Sequence, residues 1–285
     1  MEIIKTIKQM QSYSREQQRL GKTIGLVPTM GYLHEGHIEL VKAARKENDI
    51  VIVSIFVNPI QFGVGEDFDI YPRDLKRDSQ LLEKENVDVI FNPEGEEMYP
   101  AGYNTFVEVS GEITTKLCGA SRPGHFRGVT TVVSKLFNTC LPDKAYFGQK
   151  DAQQVMVIEK MVKELNFPLT IVRVPIIREK DGLAMSSRNT YLSDELRKEA
   201  LLLNQSLIKG KQAIENGEKD VEKVKKLIQD YIKTSPNANI DYVEILSGED
   251  LSDLSDLSEL KGKILIALAV KFGNTRLIDN QLVEV

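Results

Sequence analysis

Two of the three histidines in the chain, His34 and His37, stand three residues apart in the stretch Pro28-Thr29-Met30-Gly31-Tyr32-Leu33-His34-Glu35-Gly36-His37. Histidines at that spacing in the first turn of a helix lie on one face and can donate to one group. Thr23 to Val27 reads as a short buried strand stopped by Pro28. Ile38 to Lys46 favours a helix with Leu40, Val41, Ala43 and Ala44 on its packed face. A strand, a tight turn at Gly31 and a helix start leave backbone N–H groups aimed at a bound anion, and Gly36 lets a ligand come close to the backbone. Zinc would ask for histidines at i and i+4 with a third ligand. The spacing here, with no cysteine pair beside it, favours phosphate. The plain alternative is a surface loop with two solvated histidines. Gathering a scarce charge-handling residue at one turn argues against it.

Three further stretches carry groups of the same kind. Gly148-Gln149-Lys150-Asp151-Ala152-Gln153-Gln154 leads from a strand, Lys144 to Phe147, into a helix from Val155 to Leu165, placing the Lys150 cation at a helix start. Asp181-Gly182-Leu183-Ala184-Met185-Ser186-Ser187-Arg188-Asn189 offers two hydroxyls and a guanidinium fork, a set suited to phosphate oxygens. It reads equally as a linker ahead of a helix capped by Ser193-Asp194-Glu195. Arg122, His125 and Arg127 precede a helical run from Val129 to about Cys140. They fit a second anion site, or a structural cap with a subunit contact, and the sequence leaves both open.

The elements that must position these groups alternate. Asp49 to Val57 is nearly continuous in β-branched apolar residues, the pattern of a central parallel strand covered on both faces. It ends in the turn-rich Asn58-Pro59-Ile60-Gln61-Phe62-Gly63. A polar-faced helix from Asp74 to Asn86 follows, then strands at Val87–Phe91 and Leu169–Val174. Strand–helix alternation indicates βαβ units and a Rossmann-like, doubly wound parallel α/β sheet. Ligands bind such sheets at the carboxyl ends of the strands, which is where the histidine loop and the Asn58–Gly63 loop fall. From Asp194 the texture changes to long charged helices up to about Lys233, then strands at Ile240–Leu246 and Ile264–Val270. The expected division is a Rossmann-like domain over residues 1–176 and a smaller C-terminal α/β lid domain over residues 177–285. Leu251 to Leu260 repeats every three residues and reads as a short surface helix or turn.

The bulk composition is that of an ordinary globular protein: 285 residues, 41% hydrophobic, 28% charged, no tryptophan and a net charge of −5. That charge gives no electrostatic reason to expect nucleic acid. Cys118 and Cys140 form no CxxC, so a reduced compartment is the simplest reading. The start of the chain lacks the basic and apolar regions of a signal peptide. The longest apolar run, Ile264 to Val270, falls far short of a bilayer span of about 20 residues. A cytoplasmic protein without membrane or nucleic-acid partners is expected.

Taken together, the motifs resemble the pantothenate synthetase (pantoate–β-alanine ligase) family, within the wider HxGH nucleotidyltransferase superfamily, over essentially the whole chain. PTMG-x-LH-x-GH stands at Pro28 to His37, NP-x-QF at Asn58 to Phe62, YPR at Tyr71 to Arg73, RPGHFRGV at Arg122 to Val129, FG-x-KD-x-QQ at Phe147 to Gln154 and DGLAMSSRN-x-YL at Asp181 to Leu192. An HxGH alone would point only to the superfamily. The ordered set is specific.

The resemblance implies ATP-dependent joining of (R)-pantoate to β-alanine through a pantoyl-adenylate, with ATP as substrate and Mg²⁺ on its phosphates. It implies an ATP site formed by Met30, Gly31, Tyr32, Leu33, His34, Glu35, Gly36, His37, Gly148, Gln149, Lys150, Asp151, Ile177, Met185, Ser186, Ser187 and Arg188. His34, His37, Lys150 and Arg188 would be catalytic, with His37 a donor to the transition-state phosphate. Gln61 and Gln154 would hold pantoate, and Gln61 would meet β-alanine. No protein ligand for Mg²⁺ is identifiable, Asp78 being a weak candidate. A homodimer is implied by the resemblance alone. A nucleotidyltransferase acting on a phosphorylated partner should carry extra basic residues in place of the paired glutamines. A non-enzymatic nucleotide-binding module would not need the lysine and Ser-Ser-Arg loops together.

Overall fold

The computed structural model describes residues 1–254, 256–257 and 262–284, which form two compact units. The first takes Met1–Ser110, Arg122–Gln149 and Val157–Pro175. The second takes Gly111–Ser121, Lys150–Met156 and the chain from Ile176 onward.

In the first unit, β1 (Glu2–Ile4), α1 (Ile7–Arg19), β2 (Ile24–Thr29), α2 (Glu35–Glu47), β3 (Ile50–Ile55), α3 (Leu75–Lys84) and β4 (Val89–Phe91) alternate as the apolar runs require. The short α4 (Gly95–Met98) follows; α5 (Cys118–Ser121) belongs to the second unit, and then come α6 (His125–Cys140), β5 (Lys144–Gly148), α7 (Ala152–Glu164, assigned to this unit from Val157) and β6 (Thr170–Val174). All six strands are parallel in the order β1-β4-β3-β2-β5-β6. The central β3 is buried at every residue, as its unbroken Ile-Val-Ile-Val run demands. From β2 the chain winds outward through β3 and β4, then returns to β5 on the other side of β2. The strand order therefore reverses between β2 and β5, the switch point at which such sheets open a crevice beyond their carboxyl ends.

Pro28 does not stop β2, contrary to the expectation from sequence. It pairs with Ser54 inside the strand. The carbonyls of Thr23 and Thr29 accept from Ile50 and Phe56 of the β3 segment, so the odd-numbered residues of β2 bond toward β3. Pro28 has the opposite parity and faces β5, whose pairing with β2 covers Gly25 and Leu26. Its missing N–H thus removes no bond to β3. The strand β1 and helix α1 were not anticipated.

The second unit carries α8 (Asp194–Glu199), α9 (Leu201–Glu215), α10 (Val221–Ile232) and an antiparallel meander of β7 (Ala238–Ser247), β8 (Lys263–Phe272) and β9 (Thr275–Glu284). Ile264, Ile266, Leu268 and Val270 of β8 share one core with Leu203, Leu207 and Ile228 of α9 and α10. The edge strand β9 escaped the sequence reading, because Arg276, Asp279, Asn280 and Gln281 break its apolar pattern. Leu251 and Leu257 of the triplet pattern are buried, which corrects the surface reading there. Residues 255 and 258–260 of that pattern lie outside the described residues. Among the described residues no helix is long and apolar enough to cross a membrane.

Candidate active site

The candidate residues of the first unit are built on the turn from β2 to α2. Gly31 has φ +84°, and a Cβ there would sit 2.9 Å from Ile55 Cγ2 and 3.2 Å from Asp78 Oδ2. Tyr32 also enters the left-handed region, at φ +51°, a conformation a bulky residue adopts only when its surroundings enforce it. The enforcing group is Asp78 of α3. Its Oδ2 accepts the Tyr32 N–H at 2.7 Å and its Oδ1 the Leu33 N–H at 2.8 Å, with the side chain 1% exposed. Burial pushes the Asp78 carboxyl above its ordinary range, while the two backbone donors and Arg77 pull the other way. Both oxygens are thus engaged in holding the loop. Among the described residues no group of three His, Cys, Asp or Glu is arranged to hold a metal ion.

The turn delivers His34 to the N-cap of α2 and His37 to its third position. The His34 backbone N–H donates to His37 Nδ1 at 3.3 Å, and the two ring centroids are 4.0 Å apart. An Nδ1 that accepts a backbone proton leaves the neutral imidazole with its hydrogen on Nε2. His37 is accordingly set as an Nε2–H donor. Helix geometry also leaves the Glu35 and Gly36 N–H groups without intrahelical acceptors, adding donors at the positive end of the helix dipole.

Gln61 ends the 3-10 turn Pro59–Gln61 beyond β3. Buried Asn58 donates to Gln61 Oε1 at 3.0 Å, which turns Gln61 Nε2 toward Met30 Sδ at 3.2 Å, beside the histidine loop. Asn58 Nδ2 also reaches the Gly128 carbonyl at 3.1 Å, and Tyr99 donates to Asn58 Oδ1 at 2.7 Å. From the other side, Arg122 donates to His125 Nε2 at 3.0 Å, so the proton of that ring sits on Nδ1 and is donated to the Gln61 carbonyl at 2.9 Å. Arg122 is itself gripped by both carboxylate oxygens of Glu66 at 2.6 Å. Of the readings left open for this stretch, the geometry supports a structural part, though not as a side-chain helix cap: Arg122 and His125 hold the Gln61 turn. Arg127 lies over the Phe106 ring at 3.8 Å.

In the second unit, Lys150 occupies the 3-10 turn Gln149–Asp151 that leads into α7, with its ammonium 3.7 Å from Asp151. The Ser186–Arg188 segment is presented by a tight hairpin. Arg178 bridges to Ala184, the Met185 N–H donates to the Ile177 carbonyl at 3.0 Å, and Gly182 closes the turn at φ +98°. Ser186 Oγ accepts the Arg188 N–H at 3.3 Å and starts the 3-10 turn Ser187–Tyr191. Lys150, Ala184, Ser186, Asn189 and Asp279 line one small cavity, so the lysine and the first serine of the loop meet within this unit. Gln154 is half-buried in the first turn of α7. Its neighbour Gln153 is structural, bonding Cys118 N–H, Ile113 O and Lys116 O. The sequence reading missed Asp78, Asn58 and Glu66 as supports. Of these, only Asn58, inside a family motif, gave a signal.

The sequence profile of the family "Pantoate-beta-alanine ligase" matches residues 2–282. The pantothenate synthetase of Syntrophomonas wolfei is 63% identical over 285 residues, covering 100% of both chains. That of Acetivibrio thermocellus is 59% identical over the same span, again 100% of both. A crystal structure of the enzyme from Thermus thermophilus superimposes with a TM-score of 0.93 at 45% identity, covering 99% of each chain. The pantoate–β-alanine ligase of Francisella tularensis, solved with β-γ ATP and β-alanine, gives a TM-score of 0.79 at 38% identity, covering 99% of this chain and 97% of that one.

The brace around Gln61 makes two testable demands. A Cβ on Gly128 would lie 2.3 Å from the Ile60 carbonyl oxygen and 2.6 Å from Gln61 Cα, both backbone atoms. Gly128→Ala should therefore destabilise by about 1–3 kcal/mol, and an unchanged urea midpoint would show that the turn yields freely. Burial raises the Glu66 carboxyl, but the Arg122 hydrogen bonds more than offset it, leaving the folded-state pKa below its ordinary value. The stability this contributes is complete above the unfolded value of about 4.3 and is lost as pH falls through the lower folded value. Glu66→Gln should cost about 1–2 kcal/mol at pH 7, with the gap to the parent protein narrowing below about pH 4. An equal gap at pH 3 and pH 7 would contradict the pairing.

Proposed function

Because the chain belongs to the pantoate–β-alanine ligase family, we propose that it condenses (R)-pantoate and β-alanine to pantothenate at the expense of ATP, in two steps through a pantoyl-adenylate. The observation that carries this reading is the family match over residues 2–282, with every motif in order along the chain. The Francisella relative, solved with β-γ ATP and β-alanine, supports ATP and the amine as ligands.

A carboxylate cannot be attacked by an amine until one of its oxygens becomes a leaving group. A pantoate carboxylate oxygen attacks the α-phosphorus of ATP, and pyrophosphate leaves with the electrons of the broken bond. The β-alanine amine then attacks the acyl carbon, AMP departs and the amine loses its proton. In the first step negative charge builds between the α- and β-phosphates, where preorganised donors are most effective. His37, through its Nε2–H, and His34 are assigned to that charge from the first unit. Lys150, Ser186, Ser187 and Arg188 are assigned to it from the second. The family motifs, in order along the chain, support these assignments. The remaining ATP contacts are assigned to Met30–Leu33, Glu35, Gly36, Gly148, Gln149, Asp151, Ile177 and Met185. Gln61 and Gln154 are assigned to pantoate, since amides donate and accept without adding charge, and Gln61 also to β-alanine.

The donor set is cationic and hydroxylic rather than carboxylate-rich. It fits a nucleotide that brings Mg²⁺ on its own phosphate oxygens better than a metal cage made by protein. The buried free thiols of Cys118 and Cys140 fit action in a reducing cytoplasm. The assembly is a homodimer. A sole sedimenting species of 32.1 kDa at micromolar concentration would refute that.

If activation precedes amine attack, labelled pyrophosphate should enter ATP when enzyme, Mg²⁺ and pantoate are present without β-alanine. Exchange that strictly requires β-alanine would rule out the two-step order. Lys150→Ala should slow this exchange by about 10²–10³-fold with little change in the unfolding midpoint. Gln61→Ala should raise the pantoate needed for half-maximal exchange while leaving ATP binding nearly intact. Parallel weakening of both ligands would show Gln61 to be misassigned.

A further inference from the structure

We propose that Asp279 and Asn280, adjacent on the edge strand β9, are positioning residues that hold Lys150 and the Ser186–Arg188 segment to one another. The proposal rests on the assignment of Lys150 to the nucleotide. Lys150 lies in a three-residue turn, and a long flexible side chain on a short turn needs its backbone fixed if its ammonium is to be preorganised. Asn280 supplies that fixing, its Nδ2 donating to the Lys150 carbonyl at 2.9 Å. Asp279 secures the other segment. Arg178, on the hairpin that presents Ser186–Arg188, donates to Asp279 Oδ2 at 2.6 Å and Oδ1 at 2.9 Å. The same guanidinium reaches the Gly182 carbonyl at 3.2 Å, across the hairpin turn. The two hands are joined because Asp279 Oδ1 also accepts the Asn280 backbone N–H at 2.8 Å.

The burial of this dipeptide is the second argument. Asp279 is 2% exposed and Asn280 3%, on a strand whose buried positions also include the apolar Leu277 and Val283 and the hydroxyl-bearing Thr275. A buried ion pair is a poor source of stability, since apolar residues of like volume commonly serve as well. An aspartate and an asparagine here call for a reason of placement. Asp279 lines the same cavity as Lys150 and Ser186, so its carboxylate also sets a field at the lysine ammonium. A displacement of about 1 Å at a reacting group can cost on the order of 10² in rate, which bounds the expected effect.

The test is a double-mutant cycle read by pantoate-dependent pyrophosphate exchange. Asn280→Ala should lower kcat by about 10- to 100-fold, with the KM for ATP changed by less than about threefold. Combined with Lys150→Ala it should add no further loss beyond about twofold, because the group it positions is gone. Asn280→Asp, which turns a carboxylate oxygen toward the Lys150 carbonyl, should lose at least as much. It serves as the reporter if the alanine variant fails to fold. Asp279→Asn should lower kcat in the same manner, and Arg178→Lys, which cannot make the paired bonds, should not preserve activity. An equal loss from Asn280→Ala in both backgrounds would mean general destabilisation and would overturn the proposal. Loss of exchange in Lys150→Ala beside unimpaired Asn280→Ala and Asn280→Asp would overturn the proposal alone. Near-normal exchange by Lys150→Ala itself would overturn the assignment of the lysine, and the proposal with it.

Discussion

The N–H groups of Tyr32 and Leu33 lie past the end of β2 and before the start of α2, so neither element can bond them. The buried carboxylate of Asp78 takes both. Without it, two buried donors would be left unsatisfied at a cost of roughly 1–3 kcal/mol each, and the left-handed Gly31–Tyr32 turn would have nothing to hold it. Because α2 starts where that turn ends, the same carboxylate decides where His34 caps the helix and where His37 falls on its first turn. One aspartate on a neighbouring helix therefore fixes the direction in which the histidine-bearing turn of the first unit points.

Two histidines in this unit are set to opposite tautomers by their neighbours. His37 accepts a backbone proton on Nδ1 and turns its hydrogen outward on Nε2. His125 accepts from Arg122 on Nε2 and turns its hydrogen inward to the Gln61 carbonyl. The first arrangement makes Nε2 of His37 a donor, the second makes His125 a strut for the turn that carries Gln61. Residue type alone does not separate these roles. The partner of each ring nitrogen does.

What the sequence made legible follows from the range of the interactions involved. The parallel sheet could be read because β3 is apolar at consecutive positions, and the histidine loop because strand, glycine turn and helix start are local signals. Lys150 and Ser186–Arg188 were singled out by their chemistry in contiguous loops, and Gln61 through a contiguous family motif. The supports could not be found this way. Asp78 lies 45 residues from Leu33, Glu66 lies 56 from Arg122, and Asp279 lies 101 from Arg178. A lone acidic residue in a helix or strand carries no mark of such a partner. β9 was missed for a related reason, since the polar residues that give it its role are those that spoil its strand pattern. Pro28 misled because its effect depends on which neighbouring strand its nitrogen faces.

The chain visits the second unit three times, at Gly111–Ser121, at Lys150–Met156 and from Ile176 onward. The strand that grips the Lys150 turn is made after every family motif. On the ribosome, every family motif has been synthesised by Leu192, while Asn280 is added some ninety residues later. Throughout that interval the nascent chain holds its full chemical inventory without the clasp that fixes the lysine. A fragment ending before Thr275 would pass any inspection of its motifs and still lack the residue to which Lys150 is tied. If Asn280 positions Lys150 as proposed, an intact β9 is a condition for activity that no inspection of the family motifs would reveal.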